Sequence, residues 1–113
     1  MDKLIERGLL FDFYGELLTE HQQKIYSDAV FNDLSLSELS EEEGISRQGV
    51  HDIIKRCDKQ LELYEEKLKL VDRFKAIKKN ASLIDEIVSA DKNMDTASKE
   101  KIKGILKSIL EEI

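Results

Sequence analysis

A chain of 113 residues is long enough for one compact domain, or for a short domain with a helical extension. It has no proline and only five glycines, and it is rich in Leu, Ile, Glu and Lys, so its composition favours an all-α fold. The sequence offers no transmembrane segment and no secretory signal, and its single cysteine, Cys57, excludes an internal disulfide and favours a cytoplasmic location.

The net charge of −6 at first argues against nucleic acid as a partner, but the charge is unevenly distributed. Residues 1–45 carry 3 basic and 11 acidic side chains, a net charge of −8, whereas residues 46–60 carry 4 and 2, a net charge of +2. Residues 67–79 hold six basic side chains and one acidic one. Positive charge is therefore concentrated from Arg47 to Lys79, and it indicates either a nucleic-acid-binding surface or an ordinary solvated helix face.

Two helices are predicted in the first third of the chain. Asp2 is the N-cap of the first, over residues 2–17, in which apolar residues recur every four positions. These apolar residues are Ile5, Leu9, Phe13 and Leu17. Thr19 and Gln22 form a capping box that opens the second helix, which we expect to extend to about Asn32 with Ile25, Ala29 and Val30 facing inward.

A short third helix is predicted from a second capping box, Ser35 with Glu38, to Gly44, which can adopt a left-handed C-terminal turn. Ser46 then caps a fourth helix that meets no further Gly or Pro after Gly49 until Gly104 and is expected to continue to about Lys79. An apolar stripe along it comprises Leu61, Tyr64, Leu68, Val71 and Phe74.

Two more helices complete the predicted six. Asn80 is expected to end the fourth helix, Ser82 to begin a fifth that continues to about Ala90, and residues 91–95 to form a polar turn. The last helix, about 96–112, carries Ile102, Ile105, Leu106, Ile109 and Ile113 on one face. This face and the stripe of the fourth helix either pack together in a monomer or join two chains in a homodimer.

The segment 36–55 has the spacing of a helix-turn-helix. Ser40 is the small residue where the two helices cross, Gly44 follows four residues later in the turn, and Ile45 is an apolar plug after it. Inward apolar positions on the second helix are filled by Val50, Ile53 and Ile54. We therefore predict a helix-turn-helix domain over residues 1–66 and a C-terminal helical segment over 67–113 that serves oligomerisation.

Two positions fit this motif poorly. Glu43 precedes the turn, where an apolar residue usually packs, and Gly49 lies inside the second helix at a cost of roughly 1 kcal/mol relative to Ala. The alternative interpretation of the segment is a helical hairpin that serves only for packing.

The outward face of the second helix contains the candidate DNA-binding residues. If Val50 and Cys57 face inward, the first turns expose side chains suited to the major groove, where Arg reads guanine and Gln reads adenine bidentately. Basic residues further along the helix suit phosphate contacts, which position a protein on DNA without selecting a base sequence. Asp52, in contrast, is unfavourable beside phosphates. The predicted DNA-binding set is Ser46, Arg47, Gln48, His51, Lys55, Arg56 and Lys59.

Motifs for catalysis, metal binding or cofactor binding were not found. The sequence contains no Gly-rich phosphate loop, no zinc-ligand spacing and no Gly-x-Ser-x-Gly elbow. His51 and Cys57 are expected on opposite faces of one helix, with Cys57 as a small core residue. Three adjacent acidic residues at 41–43 splay around a helix rather than converge on a cation. We expect a binding protein without a cofactor, not an enzyme.

These residues resemble a known family. FDFYGELLTEHQQKIYSD (11–28) and LSLSELSEEEGISRQGVHDIIKRCDKQLELYEEKL (34–68) are similar to the YlxM-like helix-turn-helix proteins and to region 4 of sigma factors. The resemblance covers roughly residues 9–68. It implies an all-helical fold of the sigma region 4 type, a winged-helix-like architecture without the wing, and a role in regulating the signal recognition particle pathway.

Three functional hypotheses follow. The first is a nucleic-acid-binding regulator that reads duplex DNA as a homodimer without inserting into a membrane. The second is an accessory factor that binds the RNA or the GTPase of the signal recognition particle, with the basic segment 67–79 as its working face. The third is a helical adaptor that uses the fold for protein contact alone.

Overall fold

The structure, a computed structural model, describes residues 2–113. Six α-helices occupy this range: α1 Lys3–Tyr14, α2 Glu20–Val30, α3 Leu36–Glu43, α4 Arg47–Leu68, α5 Leu70–Ala90 and α6 Thr96–Glu112, with a 3-10 turn at Gly15–Leu17 after α1. No strand occurs in the described range. The predicted all-α fold with six helices is confirmed.

The chain divides into two compact units, residues 1–71 and 72–113. The N-terminal unit is built around α4, against which α1, α2 and α3 all pack. The C-terminal unit contains most of α5 together with α6. Lys103 of α6 approaches Asp85 of α5 to 3.9 Å, and a groove of about 360 Å³ lies between these two helices.

Local capping interactions define most of the helix starts. Thr19 with Gln22, and Ser35 with Glu38, form the two predicted capping boxes, each with reciprocal side-chain to backbone hydrogen bonds. Asp2, Ser46 and Asp95 accept hydrogen bonds from the first turns of α1, α4 and α6. A cap of this kind contributes about 1 kcal/mol, because it satisfies a backbone N–H that has no partner within the helix.

Two contiguous clusters form the core of the N-terminal unit. One contains Leu10, Tyr14, Leu18, Tyr26, Cys57, Leu61 and Val71, and the other contains Ile25, Leu39 and Val50. Cys57 is fully buried, as expected of a core residue, and burial raises the pKa of its thiol to about 11.

The predicted inward face of the first helix was partly wrong. Ile5 and Leu17 are more than half exposed, and the buried apolar side chains of this segment are instead Leu10, Tyr14 and Leu18. The helix ends at Tyr14, and the chain then tightens into the 3-10 turn, so the four-residue periodicity does not continue to Leu17. The ring of Tyr14 thereby enters the core.

The prediction of one helix from Ser46 to about Lys79 was also wrong. The chain breaks at Lys69, which adopts the left-handed conformation with a φ of 57°. Beyond it, the backbone N–H of Leu70 donates to the Tyr14 hydroxyl at 3.0 Å, and the N–H of Val71 donates to Oε1 of Glu65 at 2.9 Å. These two side chains replace helical carbonyls as acceptors, which allows a new helix to begin without unsatisfied donors.

The break also divides the apolar stripe that was expected along a single helix. Leu61, Tyr64 and Val71 pack in the N-terminal core, Leu68 is 47% exposed, and Phe74 belongs to the C-terminal unit. Three of the five residues of this stripe therefore pack within the chain's own core.

The predicted helix end at Asn80 and helix start at Ser82 were wrong as well, because both residues lie inside α5. An interior Asn or Ser costs a helix only a few tenths of a kcal/mol relative to Ala, whereas Ala81, between Asn80 and Ser82, and Val88, further along the same helix, are buried. Packing outweighs such weak local signals. The last helix, α6, has the predicted bounds, and its one buried residue is Leu106.

Candidate nucleic-acid interface

Helices α3 and α4 form a helix-turn-helix through the tight turn at residues 44–46. Gly44 is left-handed, with a φ of 67°, a conformation that costs a residue with a Cβ roughly 1–2 kcal/mol. The backbone N–H groups of Gly44 and Ile45 both donate to the carbonyl of Ser40, at 3.0 and 3.2 Å. The Ser40 hydroxyl donates to the Ile45 carbonyl. Ser40 is thus the small residue at the crossing and also fastens the turn.

The inward face of the motif is apolar, as predicted. Val50 is fully buried with Leu39 and Ile25, and Ile45 packs against this cluster from the turn. Ile53 and Ile54 are half-buried and contact both core clusters. The first turns of α4 are therefore held rigidly, with the opposite face free.

Gly49, one of the two poor matches to the motif, has a steric explanation. The Ser46 hydroxyl, which caps α4, accepts from the Gly49 backbone N–H at 3.0 Å. A Cβ on Gly49 would lie 3.2 Å from that hydroxyl oxygen and 3.7 Å from the Ile45 side chain. Glycine lets the cap and the plug close tightly over the start of the helix.

Glu43, the other poor match, is a polar anchor. Its carboxylate lies 3.0 Å from Nε2 of His21 and 3.2 Å from Nζ of Lys24, so it joins α3 to α2. Lys24 also contacts Asp28 and Glu42. The contacts with His21 and then Lys24 hold the pKa of Glu43 below its usual value. Ion pairing here takes the place of the apolar contact that the motif usually makes.

A second polar network fixes α4 against α1 and α2. The Arg7 guanidinium donates to both carboxylate oxygens of Asp58, at 3.1 and 2.5 Å, and the Tyr26 hydroxyl donates to the same group at 2.6 Å. Burial and then the hydrogen bond to Asp58 raise the pKa of Tyr26. Asp58 is thus paired with Arg7 of α1 and not with a cation of α4.

Those cations are exposed and uncommitted. Arg47, Lys55, Arg56 and Lys59 are all exposed, and none takes part in an ion pair within residues 2–113. A groove of about 440 Å³ between side chains of α4 is lined by Asp52, Lys55, Arg56, Asp58, Lys59 and Glu62. In contrast, Arg7 and Lys24 of the acidic N-terminal segment form ion pairs with carboxylates of the N-terminal unit.

The remaining candidate residues, Gln48, His51 and Ser46, differ in whether their side chains already have hydrogen-bond partners. Gln48 is exposed, and its amide donates from Nε2 to Oδ1 of Asp52 at 2.9 Å. His51 is half-buried; its Nδ1 has no hydrogen-bond partner in the described part of the chain and lies 4.0 Å from Oδ1 of Asp52. Ser46 is engaged in the helix cap. Sequence reasoning overlooked the Gln48–Asp52 pair, although its i,i+4 spacing on a helix was a usable signal.

Metal-ligand clusters and membrane-spanning helices were also sought in the described residues. Among residues 2–113, no group of three or more His, Cys, Asp or Glu side chains is arranged to hold a metal ion. No helix in that range combines the length and the apolar character that crossing a bilayer requires.

The turn, its apolar plug and the exposed second helix define a protein of the helix-turn-helix class. A family model described as "Putative helix-turn-helix protein, YlxM / p13 like" (UPF0122) matches residues 1–105. The chain belongs to this family, as its sequence resemblance predicted, and the match extends well beyond residues 9–68.

Curated relatives agree with this assignment. The chain is 41% identical to a UPF0122 protein of Halalkalibacterium halodurans over 110 residues, covering 96% of this chain and 95% of the relative. It is 46% identical to one of Caldanaerobacter subterraneus over 87 residues, covering 77% and 74%. It is 36% identical to one of Bacillus cereus over 107 residues, covering 95% and 97%.

Proposed function

We propose that this chain is a cytoplasmic regulatory protein that binds duplex DNA as a homodimer through α4, with no catalytic role. The observation that carries the proposal is the outward face of α4, where four exposed cations form no ion pair within residues 2–113, beside a helix start anchored by apolar contacts. Exposed cations on one helix face, without an ion-pair partner in the described part of the chain, suit the phosphates that flank a major groove.

The candidate residues divide into two roles along α4. Arg47 and Gln48 lie in the first turn and, with His51 in the second, are placed to meet base edges, where Arg contacts guanine most often. Lys55, Arg56 and Lys59 lie further along and suit phosphate contacts. Ser46 acts through the cap that orients the first turn.

The overall negative charge supports one docking orientation rather than opposing DNA binding. Residues 1–45 carry a net charge of −8, so the surfaces they form are repelled by phosphate. The cations of α4 form the favourable face of the N-terminal unit. Three phosphate contacts per chain, six per dimer, correspond to a slope of about −5 in log binding constant against log salt.

A binding titration across salt concentrations tests this role, with fluorescence anisotropy of labelled duplexes. Arg47→Ala is expected to weaken a preferred duplex by about 1–3 kcal/mol and other duplexes little. Lys55→Ala is expected to weaken all duplexes about equally and to lower the magnitude of the salt slope by about 2, because the homodimer loses two phosphate contacts. Lys3→Ala, which removes the same charge from α1, is the matched control. If Arg47→Ala binds every duplex as well as the wild type, the groove-reading role is wrong.

Homodimerisation is the second part of the proposal and is assigned to the C-terminal helical segment, 67–113, with nucleic-acid binding assigned to residues 1–66. Exposed apolar side chains recur on both helices of the C-terminal unit, and Ile87 is 70% exposed. The others in the C-terminal unit are Ile77, Leu83, Ile84, Ile105, Ile109, Leu110 and, directly after α6, Ile113. Exposed apolar side chains that recur along two neighbouring helices suit association with a second chain, and two recognition helices about 34 Å apart would meet successive major grooves.

Light scattering tests the assembly. A mass of twice 13.0 kDa is expected at tens of micromolar, and Ile87→Glu is expected to reduce it to the mass of one chain. Leu63→Glu on α4, where the native side chain is 46% exposed, is the matched control and should leave the mass unchanged. A wild-type mass of 13.0 kDa would refute dimerisation.

A second candidate function is an accessory factor of the signal recognition particle, acting on its RNA or its GTPase. The observation that favours it is the basic segment 67–79, in which Lys67, Lys69, Arg73, Lys78 and Lys79 are exposed. Tight binding to that RNA or GTPase, with no retardation of any duplex DNA at low salt, would support this candidate over the first.

A further inference from the structure

The first two turns of α4 contain a hydrogen-bonded pair, Gln48 with Asp52, that has no part in the proposed phosphate contacts. Gln48 and Asp52 lie one helical turn apart, and both side chains are exposed. Nε2 of Gln48 donates to Oδ1 of Asp52 at 2.9 Å. Asp52 forms no ion pair within 4 Å with Lys55 or Arg56 in the described range, and its one ionic neighbour at that limit is Nδ1 of His51.

We propose that Gln48 and Asp52 form an adenine-reading pair, in which Gln48 contacts the base and Asp52 is a positioning residue that fixes the Gln48 amide. The inference rests on the proposed function, since it requires α4 to enter a major groove. It adds a base preference, and it gives a role to a carboxylate that is otherwise unfavourable on a phosphate-facing helix.

The chemistry of the amide explains why the pair selects adenine. A glutamine amide has two N–H donors and one carbonyl acceptor, and its terminal torsion is broad, so an isolated amide presents either orientation. The ionised carboxylate of Asp52 only accepts, so it holds the nitrogen of Gln48 toward itself and engages one N–H. The proposed pair requires that Asp52 accept from the N–H trans to the carbonyl oxygen, which leaves the cis N–H and that oxygen as an adjacent donor and acceptor, the complement of N7 and N6 of adenine.

The same arrangement disfavours guanine. Guanine presents two acceptors, N7 and O6, in the major groove. The pair offers one free N–H, and its remaining groups toward the base, the Gln48 carbonyl and the Asp52 carboxylate, are acceptors. An acceptor opposite O6 is repulsive, so discrimination comes from an unfavourable contact with guanine as well as a favourable one with adenine.

Asp52 therefore affects affinity and selectivity in opposite directions. Its negative charge lies on the helix that approaches phosphate, so removing it is expected to strengthen binding to every duplex. Its acceptor oxygen orients Gln48, so removing that oxygen is expected to weaken base selection. Both Asp52→Asn and Asp52→Ala lose the charge, but Asp52→Asn keeps an acceptor oxygen beside a new N–H donor, whereas Asp52→Ala keeps neither. Comparing the two variants therefore separates the effect of the charge from the effect of the acceptor.

The experiment is a selection from a randomised duplex library with the full chain, followed by binding titrations on the enriched duplex and on its adenine-to-guanine variant. The wild type is expected to enrich adenine at one base pair of each half-site. Gln48→Ala should lose that discrimination by roughly fivefold to a hundredfold. Asp52→Ala should lose part of this discrimination, severalfold, while binding all duplexes more tightly. Asp52→Asn should bind as tightly as Asp52→Ala and show a discrimination between that of Asp52→Ala and that of the wild type, because an Asn amide can donate as well as accept.

The double variant distinguishes positioning from direct contact. Because Asp52 acts through Gln48, Asp52→Ala in a Gln48→Ala background should leave the adenine-to-guanine ratio unchanged. If the wild type selects a sequence but Asp52→Ala selects the same sequence with the same ratio, the inference is overturned and the proposed function stands. If the wild type binds without enriching any sequence, base reading itself is refuted, and the inference falls with it.

Discussion

The left-handed residue between α4 and α5 is a lysine, and replacing it with glycine should stabilise the protein. Lys69 has a φ of 57° and a ψ of 27°, a conformation that costs an L-residue with a Cβ roughly 1–2 kcal/mol and glycine almost nothing. Glycine loses more backbone entropy on folding, which offsets roughly 0.5–1 kcal/mol of this gain. Lys69→Gly is therefore expected to raise the free energy of unfolding by about 0.5–1 kcal/mol.

Lys67→Gly is the matched control for this prediction. It removes the same exposed charge two residues earlier, inside α4, so it carries the entropy loss without any relief of strain and should lower the free energy of unfolding by about 1 kcal/mol. Urea denaturation followed by tyrosine fluorescence measures both variants. All three tyrosines, Tyr14, Tyr26 and Tyr64, lie within residues 1–71, so this signal reports the unit that contains the break.

The two variants are expected to shift the denaturation midpoint in opposite directions, while the slope of the free energy of unfolding against urea concentration stays unchanged. If both variants lower the free energy of unfolding by a similar amount, residue 69 is helical in solution. In that case α4 and α5 form one continuous helix, and the assigned break is wrong.

Three further predictions concern the N-terminal unit. Tyr14→Phe removes the acceptor for the Leu70 N–H, and denaturation should show a loss of about 1–3 kcal/mol; an unchanged midpoint would mean that the start of α5 does not need the hydroxyl. Val50→Ala truncates a fully buried side chain and should cost about 2 kcal/mol in the same assay, while a loss below about 0.5 kcal/mol would contradict the described packing. The pKa of Glu43 is held below its usual value by His21, so its contribution to stability is present above the ordinary carboxylate pKa and is lost as the pH falls through the lowered one. The difference in melting temperature between the wild type and Glu43→Gln should therefore narrow on acidification, and a constant difference would exclude this linkage.

Helix starts and the turn of the motif were predictable because their causes are local. The capping boxes at Thr19 and Ser35 join residues three positions apart, and Gly44 supplies a backbone conformation that other residues adopt only at a cost. The same locality made the outward face of α4 predictable, since helical periodicity decides which residues lie opposite Val50 and Cys57.

The end of α4 depended on contacts that no local pattern contains. Tyr14 reaches the backbone at Leu70 across 56 positions in sequence, and it makes a break favourable at Lys69, where no glycine or proline signals one. In α5 the opposite happened, because the burial of Ala81 and Val88 outweighs the weak helix-ending tendencies of Asn80 and Ser82.

Sequence alone therefore determined the all-α class, the helix-turn-helix and its exposed cations, since each follows from spacings within one or two turns of helix. Tertiary structure decided where the long helix breaks, why an acidic residue at position 43 is tolerated before the turn, and which carboxylates of α4 are neutralised. These outcomes depend on partners from other helices, Tyr14, His21 and Arg7. Their proximity is created only when the chain packs, and the energies involved exceed the local propensities that the sequence displays.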